Sequence, residues 1–355
     1  MKMYVGLDIS MGSTSICVVD ETGKIVKETK AATDPDAIAA AVSKWTGVIE
    51  RVGLEAQSFS PWLAVELINA GLPAIVVETF HMKRALSAQR NKTDRADARG
   101  IAQMMRVGWF RAVHVKSAES QQLRFLLSGR RLLKRKFIDV ENELRGALKA
   151  FGLVVGTVSR GKFEARVAEL LDGAPLIVVA LGRTLLAVRR TLQEEVTRLH
   201  AEIVRLVGRD EVCRRFMTVP GVGPITALAF KTAIDDPARF SRSRTVGAHF
   251  GLTPRRFQSG DVDYSGRISR CGDEEVRTSL YTAASALLVR CQKWSALRAW
   301  GMSIAKRRGH RRAVVAVARK LATLLHAMWR DGTEFRWTKA NDVQPDSNPT
   351  ALVTA

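Results

Sequence analysis

The sequence predicts an α/β domain at the N-terminus, a long helical segment after it, and a mostly helical third part. Three observations carry that expectation. Strand-like and helix-like runs alternate from Tyr4 to Met105. Apolar residues at heptad spacing fill the middle of the chain. After Arg209 helix-forming runs dominate, broken by one polar stretch rich in glycine.

Tyr4 to Asp8 reads as a short apolar strand ending in an acid. Ser15 to Asp20 is a second strand, Glu21-Thr22-Gly23-Lys24 a turn, and Ile25 to Thr29 a third strand. An amphipathic helix is expected over Asp36 to Val52, then a brief strand over Gly53-Leu54-Glu55-Ala56. Pro61 opens a helix that ends near Gly71, Ala74 to Glu78 forms a buried strand, and a helix covers Thr93 to Met105. Three strands followed by alternating helices and strands is the order of a ribonuclease H-like domain.

In the middle, Leu123, Leu126, Leu133, Phe137, Val140, Leu144, Ala147 and Phe151 follow a 3-4 spacing, interrupted by Arg130. Leu185, Val188, Leu192, Val196, Leu199, Ile203 and Leu206 repeat it. Two long helices packed as an antiparallel hairpin, or paired with another subunit, would use these seams as a coiled coil. Beyond them, helices are expected over Ile225–Ile234, Arg242–Phe250, Glu274–Arg290 and Arg311–Trp329, with a polar loop over Thr253–Asp273. The implied domains are 1–113, a helical linker 114–207, a third domain 208–337 and a disordered tail 338–355.

The chain has 355 residues, enough for two or three domains, and a formal charge of +21. An excess of Lys and Arg displaces counterions from phosphates, so nucleic acid is the expected partner. An anionic membrane surface is the weaker alternative. The apolar run Ala174–Leu181 is far shorter than the roughly 18 residues needed to span a bilayer. The N-terminus lacks a signal-peptide layout. Cys17, Cys213, Cys271 and Cys291 have no paired spacing. That argues against disulfides and a zinc ribbon and for a reducing cytoplasm.

Against this basic background, Asp8, Glu55, Asp94 and Asp97 form a candidate metal site. Asp8 and Glu55 end strands, and Asp94 and Asp97 sit three apart on one helix. Mg²⁺ prefers hard oxygen ligands, and two ions about 4 Å apart clamp the attacking and leaving oxygens of a phosphodiester. The plainer alternative is a set of solvated acids, Asp94 and Asp97 pairing with Arg90, Arg95 or Arg99. Pro220-Gly221-Val222-Gly223-Pro224 resembles the turn of a helix-hairpin-helix module, with backbone N–H groups available to a phosphate. Ser259-Gly260 lies in the polar stretch, with Arg255, Arg256, Arg267 and Arg270 around it. A serine there is a candidate phosphoryl nucleophile with cations to stabilise developing charge, although Ser-Gly pairs are usually plain loop. Arg130, Arg131 and Lys134 head one basic cluster, and Lys306 to Arg312 form another.

Together these motifs resemble the Piv/MooV-type transposases of the insertion-sequence one-ten group. The matching segments are Val5-Gly6-Leu7-Asp8, Leu54-Glu55-Ala56, Lys92-Thr93-Asp94-Arg95-Ala96-Asp97-Ala98, the Pro-Gly-Val-Gly-Pro turn, Phe250-Gly251-Leu252-Thr253-Pro254-Arg255, and Ser259-Gly260 with Gly266-Arg267-Ile268-Ser269. The resemblance implies a RuvC-like domain whose Asp8, Glu55, Asp94 and Asp97 hold Mg²⁺ or Mn²⁺. It implies a transposase domain whose Ser259, or alternatively Ser269, forms a covalent phosphoserine link. It further implies donor and target DNA, a guiding (bridge) RNA, homodimers or homotetramers, and a bacterial cytoplasm. The family often has Gly and Tyr after the glutamate, whereas Gln57-Ser58-Phe59 stands here, and Glu78 is the competing acid. The other readings are a hydrolytic junction-resolving nuclease using the same acids, an actin-like sugar kinase and a non-catalytic scaffold. A kinase calls for a second nucleotide-binding lobe that the sequence lacks.

Overall fold

The computed structural model describes residues 1–87 and 93–337. The chain divides into two compact units, Met1–Lys116 and a second beginning at Ser117. The expected tail, 338–355, lies outside the described residues, as do Arg90 and Lys92.

The first unit runs β1 (Met3–Ile9), β2 (Ser13–Asp20), β3 (Ile25–Ala32), α1 (Pro35–Val42), β4 (Ile49–Glu55), α2 (Ser60–Asn69), β5 (Ala74–Val77), α3 (Thr79–Leu86) and α4 (Asp94–Val107). The strands form one mixed sheet in the order β3-β2-β1-β4-β5. β1, β2 and β3 pair antiparallel, and β4 and β5 join parallel. This is consistent with a ribonuclease H-like domain. Asp20 closes the β2–β3 turn by accepting the N–H groups of Thr22 at 2.9 Å and Lys24 at 3.0 Å.

Side-chain alternation gives the sheet two covered faces. Met3, Val5, Leu7 and Ile9 of β1 pack with Val52 and Leu54 of β4 against Ile38 and Val42 of α1 and Leu63 and Leu67 of α2. Tyr4, Cys17 and Val19 face the other way, onto Ala98, Ile101, Ala102 and Met105 of α4. The expected helix over 36–52 stops at Val42, a 3₁₀ turn fills Ser43–Val48, and β4 starts at Ile49. Apolar positions there suit a helix locally, but parallel pairing with β1 claims them for the sheet. Helix α3 was not anticipated.

Helix α4 lies directly on the strands at two glycines. A Cβ on Gly6 would stand 2.1 Å from the Ala98 carbonyl oxygen and 2.4 Å from the Ala102 nitrogen, both backbone atoms. Gly53, its partner on β4, would meet the flexible Met105 side chain at 2.6 Å.

The second unit contains α5 (Ala118–Lys149), α6 (Phe163–Leu171), α7 (Leu176–Arg209), α8 (Glu211–Met217), α9 (Pro224–Ile234), α10 (Val246–His249), β6 (Pro254–Ser259), β7 (Val262–Ile268), α11 (Glu274–Val289), α12 (Ala296–Arg308) and α13 (His310–Asp331). α5 and α7 pack antiparallel: Leu127 meets Ile203 and Val207, while Leu144 and Leu148 meet Val178 and Leu186. Between these clusters the buried Arg189 pairs with Glu141 at 2.7 Å, with its guanidinium 4.8 Å from the Phe137 ring. Phe137, Leu144 and Ile203 of the heptad seams are buried, but Phe151 and Val188 are exposed. Leu127, Leu148, Leu186 and Val207, off the heptad list, are buried. A straight helix of 3.6 residues per turn drifts from a 3.5 repeat in this way.

The expected helix over 242–250 is a 3₁₀ turn at Ser243–Thr245 followed by the short α10. The expected loop over 253–273 is mostly a β-hairpin, with β6 and β7 paired antiparallel around Gly260-Asp261. Among the described residues no helix is long and apolar enough to cross a membrane.

The two glycines make unequal demands. Gly6→Ala must displace the α4 backbone and is expected to lose about 2 kcal/mol or more, as overpacking does. Gly53→Ala requires only that Met105 and Ile101 side chains give way, and should cost less. Urea unfolding of both variants checks the order.

Candidate active site

The packing of α4 on β1 and β4 sets where the elements that carry the acids end. Asp8 follows Leu7 on β1, and Glu55 follows Leu54 on β4, Leu7 and Leu54 being partners in the parallel ladder. By alternation Asp8 shares a face with Tyr4 and Gly6, and Glu55 with Arg51 and Gly53, the face covered by α4. α4 runs opposite to these strands. Arg51 donates to the Met105 carbonyl at 2.8 Å near the helix end, while Gly6 lies under Ala98. The first turn of α4, carrying Asp94 and Asp97, is therefore directed to the strand ends that carry Asp8 and Glu55. A groove of about 590 Å³ lies beside the start of α4, lined by Ser15, Glu28, Lys30, Asp94 and Arg95 among others. Ser15 is the antiparallel partner of Asp8.

Thr93 caps α4, its hydroxyl accepting the Ala96 N–H at 3.1 Å. Asp94 is exposed, and Asp97, Asp8 and Glu55 are half-buried. Pairing of Asp94 and Asp97 with Arg95 or Arg99 is not what the structure has. Both guanidiniums bind Glu28 of β3, Arg95 Nε and Arg99 Nη2 each donating to Oε2 at 2.8 Å. Among the described residues the carboxylates of Glu55, Asp94 and Asp97 have no hydrogen-bond or ion-pair partner. Glu78 follows the opposite face from Val77, sits at the N-cap of α3 and pairs with Arg111 at 3.6 Å. Its position is less suited than that of Glu55 to join Asp8.

The donor set is all carboxylate oxygen, which fits a hard divalent cation. Among the described residues no three His, Cys, Asp or Glu lie close enough to hold an ion together. Completing a shell from these four acids therefore calls for rearrangement of side chains or of the first turn of α4.

In the second unit Ser259 is the last residue of β6, paired with Val262 across the Gly260-Asp261 turn, and the whole of β6 is exposed. Phe257 stacks on Tyr264 at 5.4 Å on the same face as Ser259, both rings more than half exposed. Arg256 pairs with Asp263 at 2.6 Å, and Arg255 donates to the Ser269 carbonyl at 3.1 Å. Arg267 and Arg270 are exposed, and Arg270 adopts a left-handed backbone with φ 56°. Ser269 stands at the foot of the hairpin, its hydroxyl 3.0 Å from Cys271 Sγ.

The Pro-Gly-Val-Gly-Pro turn joins α8 to α9. Gly221, at φ 87°, would place a Cβ 2.3 Å from the Ala283 carbonyl of α11, so it serves packing. Nothing crowds Gly223. Of the basic trio on α5, Arg131 and Lys134 are exposed, but Arg130 is half-buried and burial pulls its pKa down. Arg130 falls in the 3-4 apolar spacing between Leu126 and Leu133, which accords with its burial.

A DEDD-type transposase model matches residues 5–152, and a model described as "Transposase IS116/IS110/IS902 family" matches 213–300. The transposase for insertion sequence element IS1111A of Coxiella burnetii is 29% identical over 330 residues, 91% of this chain and 88% of that one. The transposase for insertion sequence element IS1328 of Yersinia enterocolitica is 29% identical over 250 residues, 69% and 74% of the two chains. A "Probable family 20 transposase" of Pseudomonas aeruginosa is 31% identical over 291 residues, 80% of this chain and 85% of its own. The chain belongs to the IS116/IS110/IS902 family of transposases.

The transposase is thus an insertion-sequence enzyme acting on DNA. The four acids fall inside the first matched segment, and Gly221, Gly223 and Ser259 inside the second. Sequence reasoning missed Glu28, which lies 67 and 71 residues from its two arginine partners, beyond any local spacing. It also missed the stacked Phe257–Tyr264 pair, although Gly-Asp between alternating residues is a hairpin signal.

Hydrogen bonds from Arg99 and then Arg95 hold the Glu28 carboxyl at about 2, down from 4.5. A lowered carboxylate stabilises the folded transposase above its ordinary value, and that contribution is lost as pH falls through the folded value. The stability difference between wild type and Glu28→Gln is therefore expected to be full above pH 4.5 and to vanish towards pH 2. Urea unfolding across that range measures it.

Proposed function

We propose that this transposase cuts and rejoins DNA strands through a covalent phosphoserine intermediate, with Asp8, Glu55, Asp94 and Asp97 holding Mg²⁺ or Mn²⁺. The observation that carries the reading is the direction of all four acids to one end of one layer, with Glu55, Asp94 and Asp97 unpartnered among the described residues. Carboxylates brought close together repel one another, and a bound metal relieves that cost. When bound, the ions supply charge neutralisation at the transferring phosphate.

The remaining chemistry belongs to side chains. Ser259 presents its hydroxyl at the tip of an exposed hairpin, open to a DNA strand. Its Oγ forms a bond to phosphorus as the bridging P–O bond breaks, and the leaving oxygen takes up a proton. A hydroxyl of the second strand then displaces the serine, restoring it and joining the strands. Arg255, Arg267 and Arg270 lie on or beside the hairpin and offset charge on the phosphate. Gly223 with the start of α9, together with Arg131 and Lys134, offers backbone contacts that read no sequence. We assign the choice of donor and target DNA to a guide RNA, and the working form to a dimer or tetramer. The family resemblance and the charge of +21 support those two assignments.

Ser259→Ala is expected to abolish the covalent protein–DNA adduct and to slow strand joining by about a thousandfold or more, the scale of nucleophile removal. Denaturing gels with labelled DNA read both. Cleavage by the variant at the wild-type rate without adduct would replace this mechanism with hydrolysis. Purified transposase should also carry RNA that ribonuclease removes, with loss of DNA targeting; transposase free of RNA that still selects its target would end the guided reading.

A further inference from the structure

The Glu28 fork has no part in the proposed chemistry, yet it shares a groove with Asp94. Glu28 projects from β3 into the groove that Asp94 and Arg95 also line. Its side chain is 12% exposed, and it engages both Arg95 and Arg99 through Nε and Nη2 of each. Two arginines thus flank the acid pair in sequence without binding it. One lies between Asp94 and Asp97, and the other two residues beyond Asp97.

A site that gathers divalent cations is poorly served by two neighbouring guanidiniums. Each repels the incoming ion, and each has a long arm able to swing towards a carboxylate. A planar carboxylate that accepts both forks cancels one of the two charges and fixes the geometry of both. The donors come from successive turns of α4, so the same contact ties the first two turns of that helix to β3. Glu28 itself is largely covered while both arginine side chains stay partly exposed, so the fork acts through its paired geometry rather than through deep burial.

We propose that Glu28 is a positioning residue for the metal site: it sequesters Arg95 and Arg99 so that Asp94 and Asp97 stay available to divalent cations. The proposal rests on the reading of those two acids as ligands. It makes Glu28 neither a ligand nor a mere staple between β3 and α4, and the three roles predict different behaviour when the arginines are removed as well.

The test is binding of Mn²⁺ to the full chain, followed by electron paramagnetic resonance of the free ion, with circular dichroism and thermal unfolding as controls for folding. Asp97→Asn is expected to lose binding. Glu28→Gln is expected to weaken it about tenfold, a change of about 1.4 kcal/mol. The triple variant Glu28→Gln, Arg95→Gln, Arg99→Gln is expected to recover affinity to within about threefold of wild type, because the freed cations are gone. A triple variant as weak as Glu28→Gln overturns the proposal, since a ligand or a staple is not restored by deleting its partners. Unchanged binding in Glu28→Gln, with Asp97→Asn impaired, overturns it too. Asp97→Asn binding as tightly as wild type would sink the reading of the acids themselves, and the Glu28 proposal with it.

Discussion

The approach of α4 to Gly6 is the constraint on which the first unit depends. With the Ala98 carbonyl oxygen and the Ala102 nitrogen where a Cβ would be, the helix backbone rests on the strand itself. Such contact leaves little freedom in the angle or the sliding of the helix, since interiors are packed as densely as crystals. It fixes which residues of α4 lie over the ends of β1 and β4. Tyr4, Cys17 and Val19 fill the space on either side against Ile101 and Met105. Arg51 ties the far end through the Met105 carbonyl, and Glu28 ties the near end through two arginines. The position of α4 over β1 and β4 is thus set by one packing contact pinned at both ends.

The second unit holds its candidate serine in a different way. A two-stranded hairpin alone is only marginally stable in water, and no residue of β6 is buried. The foot of the hairpin carries the order. The Ser269 N–H donates to the Thr253 carbonyl at 2.9 Å, and Arg277 of α11 donates to the Cys271 carbonyl at 2.9 Å. Below it, Phe250 joins Phe230 and Phe216 in a core shared with α13. The hairpin therefore rises from a rigid base while its tip stays accessible. That combination suits a nucleophile that has to meet a separate strand of DNA.

Charge is distributed with the same economy. Many arginines are neutralised within the fold: Arg189 by Glu141 in the long-helix pair, Arg124 by Asp273 beside α11, and Arg256 by Asp263 on the hairpin. The run Lys306 to Arg312, at the joint of α12 and α13, is exposed throughout. The gross count of 56 Lys and Arg thus overstates the number of cations available to phosphate, and residues such as Arg130, half-buried on α5, drop out of that number.

The sequence by itself determined the strand order, the cap and first turn of α4, the two long helices and the identity of the candidate acids and serine. Those features are local: period-two and 3.6-residue patterns, a Thr-Asp-x-x-Asp helix start, and motifs short enough to read in one stretch. Only the tertiary structure decided the rest. Ile49 to Val52 became strand because β1 offered a parallel partner, against a helical local pattern. Glu55 came to lie on the face of the sheet that α4 covers, and Glu78 beyond the opposite face. Gly221 became a packing residue because α11 crosses it, and Glu28 acquired two partners far along the chain. In each case the deciding contact joins segments distant in sequence, and no spacing within a segment encodes which distant surface will meet it.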